Sequence, residues 1–148
     1  MKGVLVVLFA LVLPALATPD NDAVALWVQL VHGTHAAAEA QPASWKRIGP
    51  DLNKRLTGIF RWQEYWEVAR AEIVAEPGRV AKTRLGSERD IAISFKSPTE
   101  LEVRLYRNGH LVRKAHRTLK QNMTIMGGDA DQKEAWFVVV RRDKPQAE

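Results

Sequence analysis

His32 and His35, in the run His-Gly-Thr-His, are the first residues whose types and spacing suggest chemistry. Two imidazoles hold a metal when a third histidine or a carboxylate joins them. No such ligand stands nearby in sequence, and Gly33 predicts a loose backbone between the pair, so the favoured reading is a loop at a strand end. His110 and His116 share a predicted strand face, but the ammonium of Lys114 lies between them and repels a cation. Asp129, Asp131 and Glu134 in the run Gly127–Glu134 have an oxygen spacing similar to that of a calcium loop. The central glycine and the terminal carboxylate of such a loop are missing, and Lys133 sits inside it. A polar hairpin tip is the favoured reading. No metal and no cofactor is expected.

Nucleophilic catalysis finds little support. No Gly-x-Ser-x-Gly elbow occurs. Beyond the first segment the serines are Ser44, Ser87, Ser94 and Ser97, none beside a histidine in sequence. The chain contains no cysteine, so it has neither a thiol nucleophile nor a disulfide. No catalytic residue is assigned. Triads and carboxylate pairs also assemble from distant positions, which keeps a small hydrolase as an alternative.

Two clusters suggest binding. Asn108-Gly109 is a strong hairpin signal. A two-residue turn there pairs Arg107 with His110, Tyr106 with Leu111, Leu105 with Val112 and Arg104 with Arg113. Like charges placed opposite each other cost stability, and an arginine pair of this kind suits a carboxylate or phosphate. Arg117 and Tyr106 share that face. Glu100 facing Arg117 and Glu102 diagonal to Arg113 also fit an ordinary charge ladder on a solvated face, the favoured reading. The second cluster is aromatic. The chain has five tryptophans, and Trp62, Tyr65 and Trp66 fall close together. Strand geometry sends Tyr65 and Trp66 to opposite faces. Such rings stack on sugars or clamp peptides, but more often fill a helix–sheet junction. The candidate binding surface is therefore Tyr65, Trp66, Arg104, Tyr106, Arg107, Arg113 and Arg117.

The elements that must carry these residues read mostly as strands. Val24 to His32 alternates with apolar residues on both faces and predicts a central strand ended by Gly33-Thr34. Residues 35–44 read as a loop. Gly49-Pro50-Asp51 starts a helix over about 50–61, with Leu52, Leu56, Ile59 and Phe60 on one stripe. Residues 62–75 fit either a helix or a strand. Pro77-Gly78 favours a turn, hence a strand over Tyr65–Ala75 that returns over Val80–Leu85. Strands around Ile91–Phe95, Leu101–Leu105 and Leu111–Thr118 follow. A short strand from Met123 is ended by Gly127-Gly128, and Ala135–Val140 reads as a buried strand.

Short turns imply antiparallel pairing, and the lack of βα alternation argues against a doubly wound fold. The expected class is α+β: mainly antiparallel β, about eight strands in a sandwich or partly open barrel, with one helix between the first and second strands.

Met1-Lys2, the apolar run Gly3–Ala17, Pro14 and the small residues before Thr18 have the layout of a cleaved secretory signal. The run is short for a membrane span, which takes roughly 20 residues. The expected organisation is a signal over 1–17, one globular domain over 18–143 and a polar tail over 144–148, in the periplasm or the extracellular space. The formal net charge of +5 falls by one when Lys2 is removed. That balance is too modest for a nucleic-acid partner. Asn122-Met123-Thr124 matches a glycosylation acceptor that matters only in a eukaryotic route. The leading expectation is an exported, non-enzymatic binding or assembly module of the cell envelope, partnered by an envelope protein or an anionic polymer. A third alternative is an inhibitor of a secreted enzyme acting through residues 35–48 or 127–134.

Overall fold

The computed structural model describes residues 22–146. The expected signal segment, 1–17, lies outside them. Nine strands are described: β1 (Val24–Thr34), β2 (Lys46–Arg47), β3 (Glu64–Ala75), β4 (Val80–Leu85), β5 (Arg89–Ser97), β6 (Glu100–Arg107), β7 (His110–Thr118), β8 (Met123–Ala130) and β9 (Glu134–Arg141). Helix α1 (Pro50–Ile59) stands between β2 and β3, and a single 3-10 turn covers Ala38–Ala40. One sheet has the order β2-β3-β1-β9-β8 and the other β4-β5-β6-β7. The pairings are antiparallel. The result is an α+β sandwich that is not closed into a barrel.

The five-stranded sheet is covered on both faces, which explains why β1 and β9 are apolar on both sides. On one face, Leu26, Val28 and Leu30 of β1 and Val138 and Val140 of β9 meet Ile91, Ile93, Leu101, Val103 and Leu105 of the second sheet. On the other, Val31, Phe137 and Val139 pack with Leu52 and Leu56 of α1 and with Trp62 and Tyr65. Burying each such leucine contributes about 1.5–3 kcal/mol. Gly49 precedes the helix in extended conformation, Pro50 occupies its first turn, and Asp51 sits at its positive end.

Several local expectations are corrected. Gly33 does not end β1, which runs to Thr34. A Cβ at Gly33 would lie 3.0 Å from Trp62 Cδ1 and 3.2 Å from Phe137 Cε2, so this glycine admits close packing and is not a hinge. Strand β8 runs through Gly127 and Gly128 to Ala130. Ile59 leaves the expected stripe and is 68% exposed, because α1 ends there and Phe60 already adopts extended backbone.

Two bulges change which side chains face inward. In β3, Leu30 pairs with Ala69 and Val31 with Glu67, leaving Val68 unpaired. Tyr65 consequently faces α1, whereas Ile73 and Ala75 face the second sheet. In β7, Tyr106 pairs with Leu111 but Leu105 pairs with Arg113, leaving Val112 as the extra residue. Arg104 therefore faces Lys114, not Arg113, and Leu101, not Glu100, faces Arg117. A one-residue slip exchanges the faces of a strand, and here it turns Arg117 inward.

Candidate functional site

The seven residues singled out from the sequence do not form one surface. Tyr65 is buried and its hydroxyl donates to the Leu56 carbonyl at 3.3 Å; burial pushes the phenol above its ordinary value, against a smaller opposing backbone contact. Trp66 is buried, with the Arg47 guanidinium 4.7 Å from its ring centroid. Arg117, 2% exposed, donates to the Val140 carbonyl at 2.8 Å and to that of Gln121. Burial and then the nearby Arg142 charge lower its affinity for its proton. Arg113 donates to the Gly127 carbonyl at 3.0 Å. Arg113 thus ties β7 to β8, with which it does not pair, and Arg117 ties β7 to β9, so both bridge the seam between the two sheets. Arg104 and Tyr106 lie half-buried on the outer face of the second sheet. There Arg104, Lys114 and His116 surround Glu102. The hydrogen bond from His116 leads the effects that hold the Glu102 carboxyl below the usual range, with the two cations adding to it.

Of the seven, Arg107, at the end of β6, lines a cleft of the described residues. This cleft, of about 390 Å³, is lined by Trp45, Glu88, Arg89, Arg107, Glu134 and Trp136 among others. A second cleft of about 610 Å³ adjoins it and is lined by His32, His35, Gln41, Trp45, Gln132 and Glu134 among others. Trp45 and Glu134 line both and so form their common wall.

Each wall residue is placed by an identifiable device. Trp45 donates its backbone N–H to the Pro42 carbonyl. The two residues after it form β2, which pairs Lys46 with Glu67 and Arg47 with Trp66. Arg47 also donates to Glu64 at 2.6 Å. This short strand fixes where the indole stands. Glu134 opens β9 opposite Thr34. The turn before it is held by Asp131, whose Oδ1 accepts from the backbone N–H of Lys133 at 2.7 Å and of Glu134 at 2.9 Å. Those two N–H groups hold the Asp131 carboxyl below its usual range. At the far side, Asn108 and Gly109 both have positive φ, as the expected hairpin turn requires. The Asn108 N–H donates to the Glu88 carbonyl at 2.8 Å, tying the β6–β7 turn to the β4–β5 turn.

The polar groups of the cleft are largely paired with one another. His32 Nε2 donates to Glu134 Oε2 at 2.8 Å. The other ring nitrogen, Nδ1, is closed to solvent and has no hydrogen-bond partner. The His32 ring centroid lies 5.0 Å from that of Trp45 and 4.6 Å from that of Trp136, and the two indoles are 6.1 Å apart, nearly perpendicular. Arg89, 4% exposed, donates to both oxygens of Asp129 at 2.9 and 3.0 Å and lies 4.1 Å over Trp136. Arg107 donates to Asp129 at 2.6 Å and to Glu88 at 3.2 Å.

In the sequence, His32 stands in one metal motif and Asp129, Asp131 and Glu134 in another, Trp45 is one of five tryptophans but outside the expected surface, and nothing marks Arg89. The histidine motif and the acidic motif meet in one site, as do the two loops set apart as inhibitor segments. Among the described residues, no group of three or more histidine, aspartate or glutamate side chains is placed to hold a metal ion. No helix among them is long and apolar enough to cross a membrane.

No protein-family model matches this chain, and neither a curated protein nor a solved structure does.

Proposed function

We propose that the protein is an exported binding module of the cell envelope that performs no chemistry on its ligand and recognises it at the Trp45 cleft. The observation that carries this reading is the position of Trp45. A half-exposed indole stands as the shared wall of two adjoining clefts, held in place by strand pairing on β3. Pockets of a few hundred Å³ with an aromatic wall and a few convergent polar groups are the usual form of a ligand site.

The state of the polar groups favours binding over catalysis. A general base must present a free lone pair to its substrate. His32 gives one nitrogen to Glu134 and hides the other. Arg89 and Arg107 are taken up by Asp129 and Glu88. Export is supported by the secretory layout of residues 1–17.

The test has two parts. The full chain, tagged at its C-terminus, is expected to be recovered outside the cytoplasm with Thr18 as its first residue. As bait in an envelope extract, it is expected to retain a component that Trp45→Ala bait does not. Retention of residues 1–17 on a cytoplasmic product, or identical capture by both baits, overturns the reading.

A further inference from the structure

We propose that the trough formed by the two clefts takes a saccharide chain, with one pyranose ring stacked on the indole of Trp45. The proposal rests on the binding-module reading and names its ligand.

The free aromatic surface decides first. Trp136 is already covered, by the Arg89 guanidinium at 4.1 Å and by the His32 ring at 4.6 Å. Trp45 has only edge contacts with these neighbours and lines open space on both sides. It is the one platform here that a flat ligand can cover.

Charge decides next. An anion seeks a group of unpaired cations, yet Arg89 and Arg107 are each bonded to Asp129, and Arg107 also to Glu88, which leaves the single ammonium of Lys133 on the lining. A quaternary ammonium ligand seeks a gap between aromatic faces. His32, Trp45 and Trp136 stand 4.6–6.1 Å apart by centroid, so they fill the space between them. What remains at the rim is a mixture of donors and acceptors: Glu88 and Arg107 on one side of Trp45, Gln41, Gln132 and Lys133 on the other, and Glu134 on the common wall. A sugar hydroxyl donates and accepts at once, and the C–H face of the ring suits an indole. A neutral ring of hydroxyls therefore satisfies this rim without stranding a charge.

Topology decides against an added peptide strand. Such a strand needs a long unpaired sheet edge, whereas β1, β5 and β9, which supply Leu30, Arg89 and Trp136 to the trough, each have neighbours on both sides, and the edge strands that reach it offer only Leu85 at the end of β4 and the two-residue β2 after Trp45. Because the clefts meet at Trp45 and extend to either side of it, a chain can run across the indole.

The experiment titrates the protein with chitohexaose, cellohexaose and hexagalacturonate, following intrinsic tryptophan fluorescence and calorimetric heat. At least one neutral hexasaccharide is expected to bind, and Trp45→Ala is expected to weaken it about tenfold or more, the usual loss when a stacking aromatic is removed. Trp45→Phe should recover part of the affinity. Trp27→Phe, away from the trough, should leave it unchanged. Absence of binding by all three sugars at millimolar concentration overturns the proposal, as does equal binding by Trp45→Ala. Binding of hexagalacturonate alone also overturns it, since that result makes the site an anion trap. If the sugars fail while a captured envelope protein still depends on Trp45, the ligand class falls and the binding-module reading stands.

Discussion

Arg89 and Trp136 join the two sheets: the guanidinium carbon of Arg89, at the start of β5, lies 4.1 Å from the ring centroid of Trp136 on β9. The same guanidinium donates to Asp129 on β8. One buried cation thus holds three strands together at the end of the sandwich where the clefts open.

Replacing Arg89 by alanine removes the stacking contact and leaves Asp129 to Arg107 alone. The loss is expected to be about 2–4 kcal/mol, somewhat below that of a fully buried pair because Asp129 is partly solvated. Arg89→Lys keeps the charge but not the planar fork and should fall between the two. Urea unfolding followed by tryptophan fluorescence measures both. A stability change within the range of a surface substitution would show that the bridge contributes nothing.

Gly33 is pinned beneath Trp62 and Phe137. Gly33→Ala is expected to destabilise by about 1–3 kcal/mol through overpacking. The urea midpoint should drop with little change in slope, and the near-ultraviolet circular dichroism should change as Trp62 shifts. An unchanged midpoint would mean that the indole yields freely.

Arg117→Ala removes two buried donors and opens a cavity, so a loss of about 3–5 kcal/mol is expected. Arg117→Met restores much of the volume but none of the donors. It should recover part of the loss and leave the Gln121 and Val140 carbonyls unsatisfied. If methionine restores full stability, the hydrogen bonds at this seam carry no net weight.

Asp131 gives the pH dependence a definite sign. Its carboxyl is held below the usual range by the Lys133 and Glu134 N–H groups. A depressed carboxylate contributes stability above its unfolded value, about 4, and loses it as pH falls through the lower folded value. The β8–β9 turn should therefore loosen on acidification below about pH 4, seen as faster exchange of the Lys133 and Glu134 amides relative to neighbouring strands. Asp131→Asn keeps an accepting oxygen and should hold the turn with a flatter acid response. Identical acid profiles would remove Asp131 from this role.

Turns and starts were legible because neighbouring residues decide them. Asn108-Gly109 fixed the hairpin, Pro77-Gly78 the reversal between β3 and β4, and Gly49-Pro50-Asp51 the start of α1. Val80–Leu85 is read and observed with the same bounds. Register was less legible. The turn at 108–109 set the first pairs correctly, but the extra residue at Val112 shifted every later one. Nothing in the local alternation marks that bulge.

The sequence by itself determined a mainly antiparallel β fold with one helix, in a sandwich or a partly open barrel, because alternation, helical spacing and turn chemistry act over a few residues. The tertiary structure decided which polar side chains face inward and which segments meet. Arg117 and Arg89 became buried bridges because the packing of two sheets chose the register that placed them there. The cleft needed residues 32, 45, 88–89, 107 and 129–136 brought together by pairings far apart in the chain, and a two-residue strand after Trp45 to fix its wall. Such contacts depend on long-range burial, which leaves no periodic trace in the segments that supply them.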